Sequence, residues 1–503
     1  MHCNHPFRSA FLVRGAIGIG LISFALAPAT LAGASVMPPG TGSSGPCTTY
    51  PLASGGNVQA FVNAAEAAHK TGALLCVAAG LSLHVSAPVT VTEPVSLDFN
   101  GATISKTSAM DNWAMTVTAA NVSVTDLTIK GNEAAGAEGG GMLCEAADCV
   151  FRSVHVSGMT TDGIQVAHTG SSLTLASSTV SDTISTLISS GEGIDVSSGA
   201  VLHATGTSST DNTGSGYYLM AGGSGSTISG TSADNRQAGL MVGYTPDVTV
   251  GTFDSSADWH YGVEFSGATG AQVGPVTATD TGAAENGLPV NSTGSGVALF
   301  DTTGSTFASL SITGMPGFGL MVAESSKNTF DDVTIDRGGP GISNPGINLD
   351  HESADNVFVK ASITDTSVGV NIGGSGAKND PDSRNGNTDN QFQLLDCTGN
   401  TYAAVNIGGG TGNVFTTVNA TDIRSNYPAP GRAAIRLDNT ETSDNTIATY
   451  NSYVNGSYPV AHDPFYLIYA DTSASQNSVH LGTVQGGYKV AKFLDSNGSN
   501  TFN

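Results

Sequence analysis

One four-residue pattern, glycine followed by an apolar residue, any residue and another apolar one, returns along this chain at a spacing few folds can accommodate. It stands at Gly141 (GMLC), Gly163 (GIQV), Gly193 (GIDV), Gly216 (GYYL), Gly239 (GLMV), Gly262 (GVEF), Gly296 (GVAL), Gly319 (GLMV), Gly346 (GINL) and Gly369 (GVNI), and Ala404 (AVNI) and Ala434 (AIRL) keep the register. The gap that recurs is 23 residues, as between Gly193, Gly216, Gly239 and Gly262. Such a period is the mark of a stacked repeat. Within one unit, as in GLMVAESSKNTFDDVTI, apolar residues alternate, which asks for short strands joined by turns. The spaced leucines of a leucine-rich repeat are missing.

Stacking units of this kind sets each strand beside its counterpart in the next turn, about 4.8 Å away, and winds the chain into parallel sheets. The expected fold is therefore all-β, a right-handed single-stranded parallel β-helix. The longer gaps then hold protruding loops, as at Asp280 to Ser295 and Gly373 to Asn390. A second register, asparagine before an apolar pair at Asn328, Asn356, Asn390, Asn413, Asn445, Asn477 and Asn500, reads as a stack of turn amides with a structural role. An open solenoid end would expose an apolar core, and the helical spacing of Val58, Phe61, Val62, Ala65 and Ala68, stopped by Gly72, predicts a capping helix over the first coil.

Residues 1–34 read as a secretory signal: Arg8 and Arg14, the apolar run Ala16 to Ala27, then small residues. Residues 35–56 read as a linker and 57–503 as the β-helix, in a secreted or periplasmic protein without a membrane anchor. Loss of the signal moves the net charge from -24 to -26 (15 basic minus 41 acidic residues), which speaks against a nucleic-acid partner. Five cysteines remain. Cys47 with Cys76 and Cys144 with Cys149 are the plausible bridges, leaving Cys397, and no histidine stands at zinc-ligand spacing from Cys144 and Cys149.

Two outward columns carry the candidate chemistry. Just before successive glycines lie Asp162, Glu192, Ser215, Ala238 and Tyr261; two residues after them lie Gln165, Asp195, Tyr218, Met241 and Glu264. Asp162 and Glu192 on adjacent coils would place two carboxyl groups about 5 Å apart, the separation of a nucleophile and acid pair in retaining glycosidases. Asp162, Glu192, Asp195 and Glu264 are thus the candidate catalytic acids. Gln165, Tyr217, Tyr218, Arg236, Gln237, Trp259 and His260 are the candidate substrate contacts, since aromatic faces beside amides and carboxylates suit a sugar. Acid before glycine is also ordinary turn chemistry, and that is the competing reading.

The capping helix, the strand ending in AG, and PVTV followed by GATI resemble the start of the pectin-lyase-like superfamily of right-handed β-helices, a fold shared by hydrolases, lyases, epimerases, tailspikes and adhesins. TTDGI resembles the NTDGI segment of polygalacturonase-type hydrolases, which implies that Asp162 matches their first catalytic acid and Glu192 the last acid of the next motif. Gly191 stands where that family has a second adjacent acid, Ser215 where it has a histidine, and no RIK-like segment follows, so pectin hydrolysis is not assigned. DNRQAGLMV is similar to an NRQGI-type rung of β-helix carbohydrate enzymes, which implies that Arg236 and Gln237 face substrate.

Three functions follow as expectations. The first is a glycan-cleaving or transferring enzyme that needs no cofactor. The second is a lyase or epimerase on a uronate polymer, with calcium as cofactor and Arg236, His260 or Tyr218 as base; Asp195 and Glu264, three coils or about 14 Å apart, cannot share one ion unaided. The third is a non-catalytic glycan-binding protein. The partner in each is a polysaccharide or oligosaccharide, and trimerisation along the solenoid is compatible with the fold.

Overall fold

The computed structural model describes residues 47–107, 110, 112–132, 139–185, 191–282, 290–291, 294–337, 344–373, 386–423, 433–438, 442–454, 466–485 and 491–503. The expected signal segment, much of the expected linker and most of both long loops lie outside the described residues. Among the described residues, no helix is long and apolar enough to cross a membrane.

The described residues form one helix and a parallel β-helix. The helix spans Val58–His69, with the Asn57 side chain accepting from the Ala60 backbone N–H at its start. It buries Val58, Phe61, Val62 and Ala65 against the first coils, with Phe61 packed edge-on to Phe99 at 5.4 Å. Glu66 ties it down by accepting from the backbone N–H groups of Thr92 (2.7 Å) and Glu93 (3.1 Å). Ahead of the helix, Thr48–Thr49 pairs with Leu75–Cys76, and a Cys47–Cys76 disulfide closes the same contact, so residues from Cys47 onward belong to the compact unit. The second expected bridge, Cys144–Cys149, is also present, and Cys397 is a buried free thiol.

The glycine pattern lies on a sheet that has 16 parallel strands among the described residues. Its register runs Ile164, Ile194, Tyr217, Leu240, Val263 and Val297, each in contact with the next and all buried in the core. The glycine before each strand is demanded by close approach: a Cβ on Gly216 would stand 2.7 Å from the carbonyl oxygen of Gly239 on the next coil. The repeat is thus the record of a steric contact between stacked turns.

The asparagine register builds the expected ladder. From Asn328 through Asn356, Asn390, Asn413, Asn445 and Asn477 to Asn500, each Nδ2 donates to the next Oδ1 at 2.9–3.0 Å. The same Oδ1 atoms accept a backbone N–H from the coil before, as Asn356 does from Asn328 at 3.1 Å, so the turn's backbone is satisfied without water. Inside, Phe307, Phe330, Phe358, Phe392 and Phe415 stack face to face at 4.4–4.8 Å, the spacing the coils impose.

Candidate active site

Strand alternation sends the residue after Ile164, Ile194, Tyr217, Leu240 and Val263 to the outer face. There Gln165, Asp195, Tyr218, Met241 and Glu264 follow one another in direct register. Tyr217 therefore leaves the set of substrate contacts. It points inward, is fully buried, donates its hydroxyl to the Thr207 carbonyl at 2.6 Å and packs edge-on to Phe253 at 5.5 Å.

Asp162 and Glu192 occupy equivalent places on adjacent coils, with the Gly163 N–H bonded to the Glu192 carbonyl at 3.0 Å. Turn-forming acids of this chain, such as Asp211, Asp234 and Asp280, hold left-handed backbone with φ of 58°, 58° and 53°; neither Asp162 nor Glu192 is among those residues. Asp162 and Glu192 therefore do not owe their place to a left-handed backbone. Asp162 Oδ1 accepts the backbone N–H groups of Gly191 (3.3 Å) and Glu192 (3.2 Å). Gln165 donates to Asp195 Oδ2 at 2.5 Å. Glu192 Oε2 and Asp195 Oδ1 are buried without a hydrogen-bond partner.

Glu192 is only 4% exposed, and its carboxyl rests on the bare Cα of Gly214, where a Cβ would come within 2.3 Å of Oε2. Burial, reinforced by the charges of Asp162 and Asp195, pushes its pKa up to about 8. Asp195 is raised to about 7 by burial and the charge of Asp162, against the pull of the Gln165 hydrogen bond. Asp162 is also raised, burial outweighing its two backbone donors. Burial raises Glu264 to about 7. The Tyr218 phenol is raised by burial and then by the charges of Glu192, Asp195, Glu264 and Asp162. Among the described residues no cation pairs with any of them, and no group of three or more His, Cys, Asp or Glu side chains is placed to hold a metal ion.

Arg236 and Trp259 share a turn position on consecutive coils, as do Gln237 and His260, at the rim leading into this face. Arg236 is exposed, and its charge is not among those acting on the acids. Trp259, His260 and Tyr261 form an aromatic run, with His260 stacked on Tyr261 at 4.0 Å. Tyr261 joins Ala238 and Ala298 in an outer apolar cluster, against which Met241, Phe300 and Met321 pack.

One residue escaped the sequence reading. Asp258 is fully buried and accepts from Asn235 N (3.0 Å), Asn235 Nδ2 (2.8 Å), Ser232 Oγ (3.0 Å) and Ser255 Oγ (2.6 Å), and burial raises it to about 7. Asn235 accepts in turn from Asn212, Asn212 accepts from the Thr183 backbone N–H, and the Thr183 hydroxyl donates to the Gly191 carbonyl, so Asp258 ends a polar chain that reaches the Asp162–Glu192 turn. The signal was available: Asn212, Asn235 and Asp258 are 23 residues apart.

Residues 92–231, 143–273 and 260–385 match the family described as right handed beta helix region, together more than half of the chain, and the protein belongs to that family. No curated protein matches it. Among solved structures it is similar to the Dettilon tailspike protein (13% identity, 79% of this chain and 64% of that one, TM-score 0.38). It is also similar to tailspike protein 2 from Escherichia coli O157:H7 bacteriophage CAB120 (11%, 78% and 43%, 0.32). A third is the catalytic unit of a thermostable GH87 alpha-1,3-glucanase from Streptomyces thermodiastaticus strain HF3-3 (14%, 84% and 68%, 0.31). The chain spans about half the length of the tailspike chains it matches, 43–64%. At these identities the likeness concerns the fold alone.

Proposed function

We propose that this protein cleaves glycosidic bonds, with Glu192 as the general acid and Asp162 as the ionised partner. The observation that carries the reading is the Glu192 carboxyl: buried, unpartnered at Oε2, set between two other acids, and therefore protonated near neutral pH. Asp162, whose carboxylate is held by two backbone N–H groups, is the acid best suited to carry charge. One coil step, about 4.8 Å, lies close to the separation used by retaining enzymes, about 5–5.5 Å.

In that mechanism Glu192 gives its proton to the glycosidic oxygen as Asp162 attacks the anomeric carbon, expelling the leaving sugar and leaving a glycosyl ester. Glu192, now a carboxylate, takes a proton from water, whose oxygen attacks the same carbon and frees Asp162. The apolar cluster of Tyr261, Phe300, Met241 and Met321 along the same face suits the flat side of a sugar ring. Elimination on a uronate is less well served. Tyr218, a candidate base, is made a harder acid to ionise by burial and then by the charges of four acids. Two disulfides accord with action outside the cytoplasm.

The test is incubation of the purified protein with a panel of neutral and uronate glycans, with and without chelator, following reducing ends and the absorbance of unsaturated uronates. Reducing ends from a neutral glycan, lost in both Glu192→Gln and Asp162→Asn, are expected. Unsaturated product, or turnover untouched by both substitutions, overturns the assignment.

A further inference from the structure

The outer column continues past the acids as Ala298, Met321, Asn348, Asn371, Asn406, Arg436 and Tyr469, each in register with the next. Three amides form a directed chain in it: Asn371 Nδ2 donates to Asn348 Oδ1 and Asn406 Nδ2 donates to Asn371 Oδ1, both at 2.7 Å. Unlike the turn ladder, this chain ends unsatisfied. Asn348 is fully buried yet its Nδ2 has no partner, and Asn406 Oδ1 is a buried acceptor with no donor. On the next coil, directly in register with Asn406, Arg436 Nε is a buried donor with no acceptor.

An unused acceptor beside an unused donor is the complement of a hydroxyl group, which donates to one and accepts from the other. The surroundings narrow the ligand further. The Arg436 guanidinium lies over the ring of Tyr402 at 4.7 Å and near that of Tyr469 at 5.9 Å, so rigid aromatic surface flanks the pair. Arg436 already donates to Asp438, whose carboxylate cancels its charge. An anionic group placed there would meet that carboxylate and would bring no proton for Asn406 Oδ1; a hydroxyl of a neutral sugar satisfies both atoms.

We propose that Asn406, Arg436, Tyr402 and Tyr469 form a second binding site, for a neutral sugar unit. It lies eight coil steps from Asp195, about 38 Å along the solenoid. The site does not rest on the chemistry of the acid cluster. It holds a glycan at a distance from the place of cleavage.

The test uses the full chain carrying Glu192→Gln, titrated calorimetrically with neutral hexasaccharides (a β-glucan, a mannan, a galactan) and with an oligogalacturonate. At least one neutral hexasaccharide should bind, weakened about tenfold or more by Arg436→Met and by Tyr469→Ala, while the oligogalacturonate stays weaker than the neutral ligand. Asn406→Asp, nearly the same size, should weaken neutral binding; because it also removes the donor to Asn371 Oδ1, its binding is compared at a temperature where its melting curve shows the chain fully folded, which separates recognition from folding. Equal binding by all three variants, preference for the anion, or no binding of any neutral hexasaccharide overturns the site. Turnover of the protein without Glu192→Gln is read separately: binding that depends on Arg436 in a protein that cleaves nothing would leave this site standing and remove the proposed mechanism.

Discussion

The coils from Gly163 to Gly262 and those from Gly319 onward share a backbone and differ in how they treat polar side chains. In the later coils the turn ladder from Asn328 to Asn500 pairs amide with amide, and the core behind it repeats phenylalanine. In the earlier coils a different turn, the one leading into the glycine strands, carries a mixed chain from Thr183 through Asn212 and Asn235 to an acid, Asp258, and the outer face carries Asp195, Tyr218 and Glu264. Within that ladder each amide satisfies the next. Where the repeat is broken, carboxyl oxygens are left buried and unpartnered, a cost the fold bears only if something else uses them.

The comparison can be broken most forcefully in the uniform half. Phe358→Ala removes the middle ring of the stack and should cost about 4 kcal/mol of stability in denaturant unfolding, with activity of the surviving folded protein unchanged. A loss under about 1 kcal/mol would show that the stack can collapse around the gap.

A second test uses pH. Glu192 goes from an ordinary value of 4.5 to about 8, so the folded state binds more protons than the unfolded chain between these values. Stability contributed by that group is full below the lower value and falls as pH rises through the upper one. The melting temperature should therefore decline toward alkaline pH more steeply in the native protein than in Glu192→Gln, by a difference worth a few kcal/mol. Parallel curves would place the buried charge elsewhere.

The smallest effect sharpens the comparison at one atom. Gly214→Ala puts a methyl where the Glu192 carboxyl rests and should lower turnover about tenfold by shifting that carboxyl, at a cost of about 1 kcal/mol in stability. The same substitution at Gly222, where the nearest atom would lie 3.3 Å away, should leave turnover intact.

Much of this was legible in the letters because stacking converts sequence period into space. The 23-residue gaps set the register, the asparagine column foretold its ladder, and the cysteine spacings foretold both bridges. Tyr217 and Tyr218 in GYYL were harder to separate, since either ring suits a sugar, yet alternation sends only the second outward. The burial of individual polar atoms was not legible. Nothing in GEGIDV says that Glu192 lies against the Cα of a glycine 22 residues on, and nothing in AVNI or AIRL says that Asn406 and Arg436 end with idle polar atoms. Asp258 was hidden by its neighbours, because DWHY draws the eye to its rings while the acid turns inward.

The central claim is that Glu192 holds a proton that its ordinary chemistry would surrender. A carbon-13 titration of glutamate-labelled protein, with the Glu192 signal assigned by its disappearance in Glu192→Gln, tests it directly. A midpoint near 8 is expected; a midpoint in the usual carboxylate range, about 4.3, would contradict it.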